Sequence, residues 1–178
     1  MNERKRTLAV GAAIAALAVG SLLGSGAGNG WWQAGAAVRS VLSLEAQGAV
    51  LDALVGPEGE DAAYASYAAV IERYGSVSPF AHIMASETRH IDALKRILDR
   101  YGVPYPEENP YHGTLEAPKS LADAALAGVE AEIANAALYE EQLEAVAQYP
   151  AIIRVFVSLQ TASREQHLPA FERTAERY

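Results

Sequence analysis

The sequence predicts an all-α chain: a four-helix bundle of two antiparallel hairpins joined by a long crossover, behind an N-terminal apolar segment. Three observations predict it. Alanine is abundant and long stretches avoid β-branched runs, which favours helix over strand. Apolar residues recur at steps of three and four along four stretches bounded by Gly and Pro. Finally, Glu or His interrupts the apolar stripe of every one of those stretches. The 178 residues suffice for one domain with a full core.

Residues 1–30 read as a signal peptide or signal anchor. Asn2–Arg6 is a short basic head, and Thr7 to Gly30 carries no charge and is rich in Ala, Leu, Val and Gly. About 20 apolar residues can span a bilayer, so the same segment could be retained as an anchor. The glycines near its end favour cleavage over a stable span. Either outcome places the body outside the cytoplasm, secreted or held at the membrane. Residues 31–49 read as a linker passing into a helix, with Val41, Leu44, Val50, Leu51 and Leu54 as apolar positions. Trp31-Trp32 suits an interfacial anchor or an ordinary linker. The domain proper is expected over 50–178.

Gly56-Pro57 marks a break, and Pro57 suits the first turn of a helix over 57–74. Its inner stripe is Pro57, Glu60, Tyr64, Tyr67, Ile71 and Tyr74. Gly75 ends it, and Ser78-Pro79 opens a second helix over 80–101. There the stripe is Phe80, Ile83, Met84, Glu87, His90, Ile91 and Leu94. Val103 to Lys119 contains four prolines and reads as a crossover. Extended, it reaches about 55 Å. The second helix is only about 33 Å long. The chain can thus return to the end where that helix began, making the second and third helices parallel. The third helix is expected over 120–148 with Leu126, Val129, Glu132, Ile133, Ala136, Tyr139 or Glu140, and Leu143 inward. Ser120 and Asp123 suit its cap. Tyr149-Pro150 turns the chain into a fourth helix over 151–177, with Ile153, Phe156, Gln160, Ser163, His167, Ala170 and Phe171 on one side and a kink at Pro169.

Antiparallel helices bring residues equally distant from their turn to one level. Glu132 lies 18 positions before Pro150 and His167 lies 17 after it, so they should face each other. Glu60 lies 17 positions before Val77, and His90 lies 13 after it. That four-residue offset is about 6 Å, within side-chain reach. Glu60, Glu87, His90, Glu132 and His167 therefore converge in the interior. Buried carboxylates demand a partner, whether a metal ion, a cation or a set of hydrogen bonds.

At these residues the chain resembles the ferritin-like superfamily. Glu60 is on the first helix, Glu87-Thr88-Arg89-His90 is a Glu-x-x-His pair on the second, Glu132 is on the third and His167 is on the fourth. The wording of 58–67, 80–90 and 163–171 is similar to an exported, rubrerythrin-related branch described as a domain of unknown function. The resemblance covers about residues 50–178. It implies a metal site in the bundle core, iron or manganese first, with Glu60, Glu87, His90, Glu132 and His167 as ligands and redox or oxygen-related activity within reach. One ligand departs from the pattern: Arg164, not Glu, stands three before His167, with Gln160 and Ser163 as its inward neighbours. The alternative is a metal-free bundle, an envelope or interaction module, whose Glu/His cluster is structural and in which Arg164 neutralises a carboxylate.

Other classes are excluded or disfavoured. The absence of cysteine removes disulfides and thiolate chemistry. A net charge of −8, with the main basic cluster at residues 4–6, makes a poor partner for nucleic acid. No Gly-rich phosphate loop or nucleophile constellation is evident. Tyr64 and Tyr67 read as core aromatics, His82 and His112 as solvated, and Glu140, Glu141 and Glu144 as an acidic face. Expected partners are a metal ion, the membrane through the N-terminal segment, and further copies of the chain.

Overall fold

In the computed structural model, residues 41–178 are described, and all their regular structure is helical. The signal or anchor segment and Trp31-Trp32 lie outside the described residues. The elements are α1 (Leu44–Val55), α2 (Glu60–Tyr74), α3 (Phe80–Tyr101), α4 (Leu121–Gln142), α5 (Pro150–Ala162), a π-helical turn (Ser163–His167) and α6 (Leu168–Ala175). Among the described residues no helix is long and apolar enough to cross a membrane.

Side-chain pairs fix the directions. Glu60 meets His90 and Tyr67 meets Phe80, so α2 and α3 are antiparallel. Tyr139 meets Phe156 and Glu132 meets His167, so α4 runs against the α5–α6 strip. Tyr67 meets Glu132 and Tyr139 meets Glu60, so α2 and α4 are antiparallel too. It follows that α3 and α4 are parallel, as the length of the crossover predicts. The crossover is laid along α2. Asn109 Nδ2 donates to the Asp61 carbonyl at 2.7 Å, and Tyr111 Oη donates to the Val55 carbonyl at 2.9 Å. At the far end Tyr74 Oη donates to the Pro118 carbonyl at 2.7 Å.

Two apolar cores result. One gathers Leu54, Leu94, Leu98, Tyr139, Ile152 and Phe156. The other gathers Tyr67, Val70, Phe80, Ile83, Ala124 and Phe171. Along α3 the residues between Ile83 and Leu94 include Glu87 and His90, and along α5–α6 those between Phe156 and Phe171 include His167. The polar cluster is therefore a layer between two apolar floors.

Several element boundaries differ from expectation. Residues from Leu44 onward, inside the stretch read as a linker, form α1. Ser43 Oγ caps it by accepting from Ala46 N at 3.1 Å. Ala46, Ala49, Val50, Ala53 and Leu54 are buried, whereas Val41 and Leu44 face outward. Pro57 lies in the turn before α2 rather than in its first turn, because Gly59 caps the helix.

The third helix stops at Gln142, and its inner face is rotated from the expected one. Leu126 and Ile133 are each 54% exposed, while Ala124, Ala125, Gly128, Asn135 and Ala136 are buried. The reason is close approach: a Cβ on Gly128 would lie 2.7 Å from the Phe171 ring. Small residues, not large ones, form that contact.

The predicted fourth helix is divided by the π-turn rather than simply kinked at Pro169. Its buried positions Ser163, His167 and Phe171 are spaced by four. In a straight α-helix each step of four advances about 40° around the axis. A π-turn, closed here by Leu168 N to Ser163 O, is wider and absorbs that drift. It ends just before Pro169, whose missing N–H falls where the regular bonding would resume.

Candidate metal centre

Each of the five predicted residues is buried: Glu60, Glu87, His90, Glu132 and His167. The structure brings all five together in two overlapping triads, Glu60–Glu87–His90 and Glu87–Glu132–His167. In each triad the ligand-type atoms lie within 4.8 Å of one another. Glu87 belongs to both because its two oxygens part company. Oε2 is 2.8 Å from His90 Nδ1, and Oε1 is 3.1 Å from His167 Nδ1. His90 Nδ1 also meets Glu60 Oε2 at 3.3 Å, and His167 Nδ1 meets Glu132 Oε2 at 3.4 Å. The imidazoles stack with centroids 5.5 Å apart. His167 Nδ1 is buried and within ion-pair distance of two carboxylates, yet aligned for a hydrogen bond with neither.

The outer oxygens of the terminal carboxylates are held by tyrosines. Tyr67 Oη donates to Glu132 Oε1 at 2.7 Å, and Tyr139 Oη donates to Glu60 Oε1. The pattern is reciprocal. Tyr67 follows Glu60 by seven residues on α2, Tyr139 follows Glu132 by seven on α4, and each tyrosine serves the carboxylate of the other helix. That repeated spacing was the available signal for both. Sequence reasoning placed Tyr67 in the core without naming its partner and left Tyr139 undecided against Glu140.

Asn135 was missed altogether. It donates to the Glu58 carbonyl at 3.0 Å, approaches Glu60 Oε1 at 3.4 Å and accepts from Ser163 Oγ at 2.7 Å. Asp61 was missed too; it is buried beside Glu60, with Oδ2 unpartnered.

The departures from the pattern have a structural form. Arg164 is nearly half exposed and pairs with Glu140 on the surface, so it does not enter the cluster. The π-turn points position 164 outward, and a glutamate there would face solvent as well. Gln160 and Ser163 are occupied by α4, through the Ala136 carbonyl at 3.0 Å and through Asn135. Neither joins the triads. His82, His112, Glu140, Glu141 and Glu144 are exposed, as expected.

The electrostatics follow from burying three carboxylates together. Burial, then repulsion from Glu87, pushes Glu60 up to about 7. Burial pushes Glu87 up as well, but the close His167 and His90 imidazoles and the Glu60 carboxyl outweigh it, and the net shift is downward. Burial disfavours charged imidazoles, yet their carboxylate partners prevail and raise His90 to about 10 and His167 to about 9. Burial and then the nearby carboxylates push Tyr67 and Tyr139 well above the usual phenol range. Without a metal, the imidazoles hold protons that neutralise the carboxylates.

The donor set suits a divalent cation. Three carboxylates and two imidazoles are the ligands that iron, manganese and zinc accept. The orphaned His167 Nδ1, directed between two carboxylate oxygens, is where a metal ligand would be left in the absence of its ion.

Fold and site thus define an all-helical protein with a buried Glu/His layer able to hold metal. A family described as an uncharacterized protein domain, DUF2202, matches residues 53–178, and the chain belongs to that family. No curated protein and no solved structure matches it.

Proposed function

We propose that this is an exported, ferritin-like protein that binds a divalent metal, iron or manganese, in its bundle core. The ligands are Glu60, Glu87, His90, Glu132 and His167. The observation that carries the reading is the division of Glu87, which offers one oxygen to each of two imidazoles, each backed by its own terminal carboxylate. Two antiparallel pairs joined by a crossover support the ferritin-like assignment, since that arrangement places inward ligands from four helices at one level. The surface pairing of Arg164 also supports the metal reading, because that guanidinium does not occupy the centre. The export reading rests on residues 1–30 alone.

Bound iron or manganese would supply redox chemistry toward dioxygen or peroxide. The chain's own contribution is to hold the ligands, keep water out with two apolar floors, and anchor both terminal carboxylates through tyrosines. The alternative, a metal-free envelope or interaction module, draws on the self-neutralising protonation of the histidines.

Metal analysis of the purified full chain separates the two. Near-stoichiometric iron, manganese or zinc is expected in the parent, and loss of it in the double variant Glu87→Ala, His90→Ala. A parent that stays metal-free after reconstitution with each ion would leave the cluster as structural scaffolding.

A further inference from the structure

The two halves of the cluster share Glu87 but are supported differently. In the first half, Glu60 Oε1 receives the Tyr139 hydroxyl and lies 3.4 Å from Asn135 Nδ2. Asn135 is itself fixed by the Glu58 carbonyl and Ser163 Oγ. His90 Nε2 lies 3.3 Å from Ser86 Oγ, which can accept its proton and so leave Nδ1 free as a ligand. In the second half, the only hydrogen bond to Glu132 Oε1 among the described residues comes from the Tyr67 hydroxyl. Among the described residues, no side chain or carbonyl hydrogen-bonds His167 Nδ1.

The difference has a local cause. Ser86 precedes His90 by four residues, and Ser163 precedes His167 by four. Ser86 faces its histidine, whereas Ser163 turns its hydroxyl to Asn135 and so reinforces the first half. Ser163 has its one hydroxyl proton committed to Asn135 Oδ1, so it gives the His167 ring no such support.

Resting on the metal reading, we propose that the half-sites are inequivalent and load in order. The first divalent ion goes to Glu60–Glu87–His90. The second goes to Glu87–Glu132–His167 and is held about 10- to 100-fold more weakly, the usual effect of outer-shell partners on a metal ligand set. Two physical terms act in the same direction. Ligands already fixed by hydrogen bonds lose less freedom when they bind. The second ion also meets a Glu87 whose charge the first has partly neutralised.

Cobalt(II) titration of the metal-depleted full chain tests this, followed by visible absorption and calorimetry. Two steps separated by at least tenfold are expected. Glu132→Gln should remove the second step and leave the first within about twofold. Ser86→Ala, at a half-buried position that should tolerate the change, and Asn135→Ala should each weaken the first step by 10-fold or more and draw the two together. Circular dichroism of each variant checks that it is folded. A single step taking up two equivalent ions would overturn the loading order while keeping the metal reading. So would Ser86→Ala and Asn135→Ala acting equally on both steps. No uptake of cobalt, manganese or iron by the parent would overturn both.

Discussion

Tyr67 and Tyr139 each place a hydroxyl on a buried carboxylate that the rest of the cluster already crowds. A hydrogen bond to a charged group contributes about 1.5–3 kcal/mol. Tyr67→Phe or Tyr139→Phe should therefore destabilise the metal-free protein by about that amount. The double variant should depart from the sum by about 0.5 kcal/mol or more, because both carboxylates belong to one network joined through Glu87. Urea denaturation measures it, and an unchanged midpoint in both single variants would remove the tyrosines from the cluster's support. Gly128 is the opposite kind of residue, important for what it lacks. With the Phe171 ring at 2.7 Å from an added Cβ, Gly128→Ala must displace α6 or the ring. Overpacking of this kind costs about 1–3 kcal/mol, and thermal unfolding should register it.

At the scale of elements, α1 and the π-turn are the instructive pieces. Helix α1 buries Leu54 completely against α3 and the other residues of the first apolar core. Leu54→Ala should cost about 2–5 kcal/mol, as core truncations do. A loss well under 1 kcal/mol in denaturant titration would mean that α1 is an attachment rather than part of the core. The π-turn keeps Ser163, His167 and Phe171 on one face, and in doing so it points Arg164 at Glu140. An arginine that reads as a lost ligand is, in three dimensions, a surface residue. Arg164→Glu should therefore leave the metal stoichiometry of the full chain unchanged, which elemental analysis can check; gain of an additional ion per chain would contradict the outward orientation.

For the molecule as a whole, the protons in the cluster set how stability depends on pH. Unfolded histidine titrates near 6.5. In the folded metal-free chain His90 titrates at about 10 and His167 at about 9. Their protonation thus contributes fully below pH 6.5, and the contribution is lost as pH rises through 9 and 10. Glu60, raised to about 7, acts in the same direction from its unfolded value near 4.5 upward. Chelator-treated protein should therefore lose stability steadily between pH 7 and 10, measured by denaturation midpoints at several pH values. A flat or rising profile would mean that the histidines are not paired with the carboxylates.

Read without coordinates, the chain already carries the helical class, the polar interruption of all four apolar stripes and the direction of the crossover. These depend on periodicity, on the placement of Gly and Pro, and on chain length, all of which are local or simple in geometry. It also named the five residues that converge, because a carboxylate or imidazole on an apolar stripe has only one direction to face. Which face of α4 is buried emerges from the packing of the helices, since a contact built from Ala and Gly is invisible to a reading that follows large apolar residues. That packing alone gave Asn135 a role, because an amide is ordinary on a helix until its partners arrive from Glu58, Glu60 and Ser163. The division of Glu87 between two histidines and the pairing of Ser163 with Asn135 were likewise settled there. Both depend on where side chains from different helices meet, and no spacing along one chain segment contains that information.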